Sequence, residues 1–152
     1  MNHFTGSIAL MRHPTQLENL WLAWWNQRAG HYDFVTAERL DDESFRECLD
    51  REIAWVLDLE RGRDYLISSM ARLHLDVPVE ASEDIPDTFF AVEFYIVDLY
   101  GSSGRLSLEQ NRDVRWLSSD EVLSGRTSDG RPVSPSLVHL LNQADVIARH
   151  TN

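Results

Sequence analysis

Ala37-Glu-Arg-Leu-Asp-Asp-Glu43-Ser-Phe-Arg-Glu-Cys-Leu-Asp-Arg51-Glu52-Ile53-Ala-Trp55-Val56-Leu-Asp58-Leu59 is the stretch on which the reading of this chain turns. Its apolar residues recur at helical spacing. With Phe45 at zero and about 100° per residue, Leu49, Ile53 and Val56 fall within about 80° of it. Cys48, Trp55 and Leu59 widen the same stripe on the other side. Glu52 lies inside this stripe, whereas Glu47, Asp50 and Ala54 point away from it. A carboxylate on an apolar face is costly unless it reaches water, a basic partner or a metal. The spacing predicts a helix from about Glu43 to Leu59, with Asp41 or Asp42 as its N-cap.

The charged residues of the stretch also keep a fixed spacing: Ala37-x5-Glu43-x7-Arg51-Glu52-Ile53-x-Trp55-Val56-x-Asp58-Leu59. This resembles the Nudix box, G-x5-E-x7-R-E-U-x-E-E-x-G-U, where U is a bulky aliphatic residue. Glu43, Arg51, Glu52, Ile53 and Leu59 match without a gap. Ala37 and Asp58 stand at glycine positions, and Trp55 and Val56 stand where the family has paired glutamates. The resemblance extends outward from the box. Upstream, Gly30-His-Tyr-Asp-Phe-Val-Thr-Ala is similar to the family's strand into its glycine pair, with Thr36 and Ala37 in the glycine positions. Downstream, Asp113-Val-Arg-Trp-Leu-Ser-Ser-Asp-Glu-Val122 is similar to its terminal strand and short helix.

The resemblance implies a single domain, 1–152, folded as a Nudix-like α/β/α sandwich with a mixed central sheet. It also implies a site. Glu43 and Arg51 brace the loop–helix–loop, and Glu52 is the surviving metal ligand or general base. Trp55, Val56, Thr36 and Ala37 mark the pocket. In active members Mg²⁺ or Mn²⁺, held by carboxylates, neutralises a diphosphate and activates water. One carboxylate leaves such an ion mostly hydrated. The reading is therefore a small-molecule-binding or regulatory domain with impaired catalysis. The alternative is a Mg²⁺-dependent hydrolase of a nucleoside-diphosphate-linked compound, in which Glu52 works with Glu109 or Asp113. Glu60 and Glu93 are further acids outside the box.

Beyond the box, Ser7–Met11, Leu20–Trp25, His31–Val35, Asp64–Val79, Phe89–Tyr100 and Val114–Leu117 read as strands. The almost continuously apolar Phe89–Tyr100 is the central one. Ala81–Asp87 and Gly101–Arg112 read as polar connections, Ser119–Leu123 as a turn of helix, and Ser134 to Arg149 as a final helix. Trp21, Trp24 and Trp25 form an aromatic cluster suited to the core, to a dimer contact or to stacking on a ligand ring.

Composition sets the partners. Acidic residues outnumber basic ones 25 to 14, a formal charge of −11. That field repels nucleic-acid backbones and argues against general nucleic-acid binding, while leaving room for a small phosphate-containing molecule in a local pocket. One cysteine, Cys48, allows no internal disulfide, and no apolar run spans a bilayer. A cytoplasmic protein with no membrane partner is expected, and a homodimer is compatible with the family. The six histidines show no metal-ligand pair such as H-x3-H.

Overall fold

Two strands far apart in sequence run side by side and set the architecture. In the computed structural model, which describes residues 1–15 and 19–147, β1 (Asn2–Leu10) pairs in parallel with β7 (Thr88–Leu99) along its whole length. Parallel pairing requires a crossover, and the intervening chain supplies it. It contributes β2 (Leu20–Asn26), β3 (His31–Asp33), β4 (Thr36–Glu38), α1 (Phe45–Leu57), β5 (Tyr65–Ile67) and β6 (Leu73–Val79). After β7 come α2 (Ser102–Gln110), β8 (Val114–Ser118), α3 (Ser119–Ser124) and α4 (Pro135–Ala144). A five-stranded mixed sheet runs β4-β1-β7-β5, with β6 also on β7, and a three-stranded sheet runs β3-β2-β8.

Alternation along β1 and β7 sends side chains to both faces, so the core has two parts. Ala9, Met11, Tyr95 and Val97 meet Leu49, Ile53 and Leu57 of α1. Ile8, Leu10, Phe90, Val92 and Phe94 meet Trp21, Leu117 and the Leu137, Leu140 and Leu141 side chains of α4. Burying each such aliphatic side chain contributes about 1.5–3 kcal/mol. This is the expected α/β sandwich, with helices on both faces of a mixed sheet. No helix among the described residues is long and apolar enough to cross a membrane.

Several boundaries depart from the sequence reading, each for a local reason. The α1 N-cap is Ser44, neither Asp41 nor Asp42: its side chain accepts from Glu47 N–H, and the Glu47 carboxylate accepts from Ser44 N–H. Asp42 instead takes a left-handed turn at φ 70°. The expected long strand Asp64–Val79 is broken. Ser68 N–H donates to Ile96 O and Arg72 N–H to Phe94 O, so four residues of chain span two of β7 and the excess loops out. Gly101–Arg112 contains a helix, α2, whose only buried residues are Gly104 and Leu108, too few to show as periodicity. β1 begins at Asn2 because the ladder to β7 holds its polar half without an apolar pattern. The last helix ends at Ala144, where Asp145 adopts φ 54°; Arg149 lies outside the described residues.

One buried carboxylate fastens the junction between α1, β5 and α2. The Asp64 side chain is fully buried and accepts from Glu60 N–H (2.8 Å), from Arg63 Nε and Nη2 (3.1 and 2.8 Å) and from Ser103 Oγ (3.1 Å). Gly104 makes the approach possible, since a Cβ there would lie 2.8 Å from Asp64 Cβ. Arg63, outweighing the desolvation that opposes it, holds the Asp64 carboxyl down at about 2. A depressed folded-state value adds stability that is complete above the ordinary carboxylate range and is lost as pH falls towards 2. Chemical denaturation of Asp64→Ala at neutral pH is expected to show a loss of about 2–3 kcal/mol, because Glu60 N–H, Arg63 and Ser103 Oγ all lose their shared acceptor. The difference from wild type should narrow on acidification.

Candidate functional site

Arg51 is where the elements around the box meet. Its Nε donates to Glu43 Oε2 at 2.8 Å and its Nη2 to Glu43 Oε1 at 3.0 Å, a bidentate pair. Nη2 also donates to the Glu38 carbonyl at the end of β4 (2.8 Å), and Nη1 to Glu52 Oε1 (3.0 Å). Glu43 Oε1 in turn accepts from Leu40 N–H at 2.9 Å. One guanidinium therefore ties β4, the loop before α1 and the helix itself. The Arg51 hydrogen bonds, helped by Leu40 N–H, hold the Glu43 carboxyl below its usual range, and those to Glu43 raise Arg51 further.

The two glycine positions keep the frame without glycine. Asp58 is the C-cap of α1 at φ 55°, ψ 44°, a left-handed conformation that Asp tolerates better than most residues. Ala37 is an ordinary residue of β4, buried against α1, with its carbonyl 3.8 Å from Cys48 Sγ. The close approach is supplied from the other strand. A side chain on Gly6 of β1 would collide with the Ala37 carbonyl.

The apolar stripe holds for Cys48, Leu49 and Ile53, all buried, and fails at Trp55, which is 84% exposed, while Leu57, off the stripe, is buried. Cys48 lies on the same side two turns earlier and packs beside the Ala37 carbonyl of β4. Val56 is half-buried against the α1-side core. Trp55 lines an open surface hollow with Arg51, Glu52 and Ala54. The four residues marked for a pocket thus occupy three environments: Trp55 at this surface, Val56 and Ala37 in or against the core, and Thr36 at a separate hollow.

The outlying acids are distributed too. Glu109, on α2, lines a hollow with His13, Arg105 and Trp116. Asp113 is exposed; its N–H donates to Asn111 Oδ1 and its carbonyl accepts from Trp25 N–H. Glu60 pairs with Arg63, and Glu93 binds His74 and Tyr95 on the sheet. Among the described residues no three His, Cys, Asp or Glu side chains converge to hold a metal ion. Glu52 has one oxygen on Arg51, and Trp55 and Val56 offer none. This donor set does not fit Mg²⁺ or Mn²⁺, which require several oxygen ligands at short range.

Thr36 leads to what sequence reasoning missed. It lines a hollow of about 210 Å³ together with Asp33, Phe4, Phe90, Ser134 and Ser136. Desolvation raises the Asp33 carboxyl to about 7, against the opposing effect of the Phe34 backbone hydrogen bond. An apolar hollow with a perturbed acid has the character of a ligand site; of its hydroxyls, Thr36 Oγ1 donates to Phe34 O and Ser134 Oγ accepts from Leu137 N–H. The visible signal was an acid inside the apolar segment Tyr32-Asp33-Phe34-Val35.

Neither a family model nor a curated protein sequence matches this chain. Solved structures do. A Nudix hydrolase from M. smegmatis, RenU, matches over 93% of this chain and 84% of its own, with TM-score 0.52 and 14% identity. An Ap4A hydrolase from C. elegans matches over 94% and 95%, with TM-score 0.56 and 11% identity. The chain has the Nudix fold. Shewanella oneidensis NrtR, in a structure with a 27mer DNA, matches over 91% of this chain but 58% of its own, with TM-score 0.55 and 14% identity. Identities this low establish the Nudix fold and leave the chemistry to the residues described above.

Two substitutions on α1 test the placement of Trp55. Ile53→Ala is expected to cost about 2–5 kcal/mol, as for other fully buried aliphatic side chains. Trp55→Ala, with its ring in solvent, should stay within about 0.5 kcal/mol of wild type in the same denaturation experiment.

Proposed function

We propose that this protein is a Nudix-fold domain that binds a small molecule, in a binding or regulatory role, with diphosphate hydrolysis impaired. The observation that carries the reading is the engagement of Glu52 by Arg51 beside Trp55 and Val56. A phosphoanhydride is cleaved when its charge is neutralised and a water is activated. In place of further carboxylates, the helix presents an indole and an isopropyl group. Glu52 is left as one partner of a guanidinium that already serves Glu43 and the Glu38 carbonyl.

Binding is assigned to the hollow of Asp33 and Thr36. Its volume is below the roughly 300–1,000 Å³ of a drug-sized ligand cleft, so it suits one ring or one polar group of a larger molecule. Asp33, raised to about 7, donates a hydrogen bond when neutral and accepts when ionised. Thr36, Ser134 and Ser136 add hydroxyls, and Phe4 and Phe90 supply apolar wall. The formal charge of −11 opposes general binding of nucleic acid. A phosphate-containing small molecule and a homodimer remain part of the proposal, as does a cytoplasmic setting.

The test is calorimetric titration of the chelator-treated protein with Mg²⁺ and Mn²⁺, followed by a panel of nucleoside-diphosphate-linked compounds. The expected result is neither specific metal binding nor turnover. Metal binding that disappears in Glu52→Gln, accompanied by turnover, would overturn the proposal in favour of a hydrolase using Glu52 with Glu109 or Asp113.

A further inference from the structure

Four arginines of this acidic chain find carboxylates: Arg51, Arg61, Arg63 and Arg115 each form an ion pair with Asp or Glu. The other nine described arginines do not, and three of them lie together. Among the described residues Arg12, Arg72 and Arg105 have no ion-pair partner, although acids are in excess by eleven. All three converge on one region, at the C-terminal ends of β1 and β7. Arg12 and Arg72 line a hollow of about 410 Å³, and Arg105 lines a smaller one that shares His13, Pro14 and Leu99 with it. Neither shares a lining residue with the hollow beside Glu52 or with that of Asp33.

The walls between these cations are apolar and aromatic. Trp21, Leu10 and Ile96 line the larger hollow, Trp116 and Leu108 the smaller. The His13 ring stands edge-on to Trp116, with centroids 4.6 Å apart. His13 Nδ1 accepts from Thr15 N–H at 3.2 Å, which places the proton of the neutral ring on Nε2 as a hydrogen-bond donor. Burial and then Arg105 favour that neutral ring, against Glu109. Two acids, Asp98 and Glu109, also line the region, so the local charge is modest. That favours an anion of one or two charges over a polyphosphate.

We propose that this region is a second ligand site, which takes a small, flat organic anion bearing a single carboxylate or phosphate group. The guanidinium groups of Arg12, Arg72 and Arg105 hold the anionic group, and the Trp116 side of the hollow holds the ring. Unpaired cations around an apolar wall provide both charge-assisted hydrogen bonds and a desolvated surface.

The experiment titrates the full chain with benzoate, phenyl phosphate, inorganic phosphate and benzamide, following tryptophan fluorescence and the His13 ring signals by NMR. Saturable binding of benzoate or phenyl phosphate is expected, with the two distinguishing a carboxylate site from a phosphate site and neutral benzamide failing to bind. Arg105→Gln and Arg12→Gln, both exposed and without an ion-pair partner among the described residues, should each weaken binding about tenfold or more. Glu52→Gln and Asp33→Asn should leave it unchanged. Absence of saturable binding by either aromatic anion at millimolar concentration would overturn the proposal. So would affinity indifferent to both arginine substitutions, or inorganic phosphate binding as well as phenyl phosphate.

Discussion

A single guanidinium holds together the loop, helix and strand around the box. Arg51 sits on α1 and reaches back to Glu43 before the helix, across to the Glu38 carbonyl at the end of β4, and sideways to Glu52. The planar fork of arginine can meet these acceptors together; a lysine ammonium would not reproduce the bidentate contact with Glu43. Because β4 pairs with β1 and β1 with β7, the same guanidinium anchors the helix to the central sheet. This explains how the loop–helix–loop keeps its shape while two of its glycine positions carry Ala37 and Asp58. Asp58 adopts the left-handed conformation itself, and Gly6 on the neighbouring strand provides the close approach to Ala37.

The same constraint bears on chemistry. An arginine that neutralises Glu52 competes with any cation for that carboxylate, and the next turn of the helix contributes Trp55 and Val56. Glu43 and Arg51 hold the frame through their ion pair, while positions 55 and 56 carry an indole and an isopropyl group that offer no oxygen. Polar and titratable groups suited to ligands are found elsewhere. One set surrounds Asp33 on the α4 side of the sheet, and another gathers Arg12, Arg72 and Arg105 at the far ends of β1 and β7.

Much of this was legible in the amino-acid sequence, where spacing or continuous hydrophobicity carries the information. The register of Glu43, Arg51 and Glu52 located α1, and the apolar run Phe89–Tyr100 located the central strand within a residue at each end. Features set by tertiary partners were not legible. Trp55 has the helical phase of Cys48, yet only Cys48 is covered, because burial depends on which strand the helix meets at that turn, as Cys48 meets Ala37 of β4. Residues Asp64–Val79 look like one strand, and the break at Ser68–Arg72 is visible only in the hydrogen bonds to β7. α2 follows from the Asp64–Ser103 contact and the fit of Gly104, neither of which leaves an apolar stripe. Asp33, an isolated acid among aromatics, was visible as a residue, but its hollow depends on α4, a hundred residues later.

The most direct test of the central claim is a paramagnetic one. Substoichiometric Mn²⁺ added to the uniformly ¹⁵N-labelled protein broadens amide signals near any site that holds it. With Glu52 committed to Arg51, the spectrum should show only weak, scattered broadening at exposed acids. Strong broadening centred on α1 around Glu52, abolished by EDTA and by Glu52→Gln, would show an intact metal site and contradict the account.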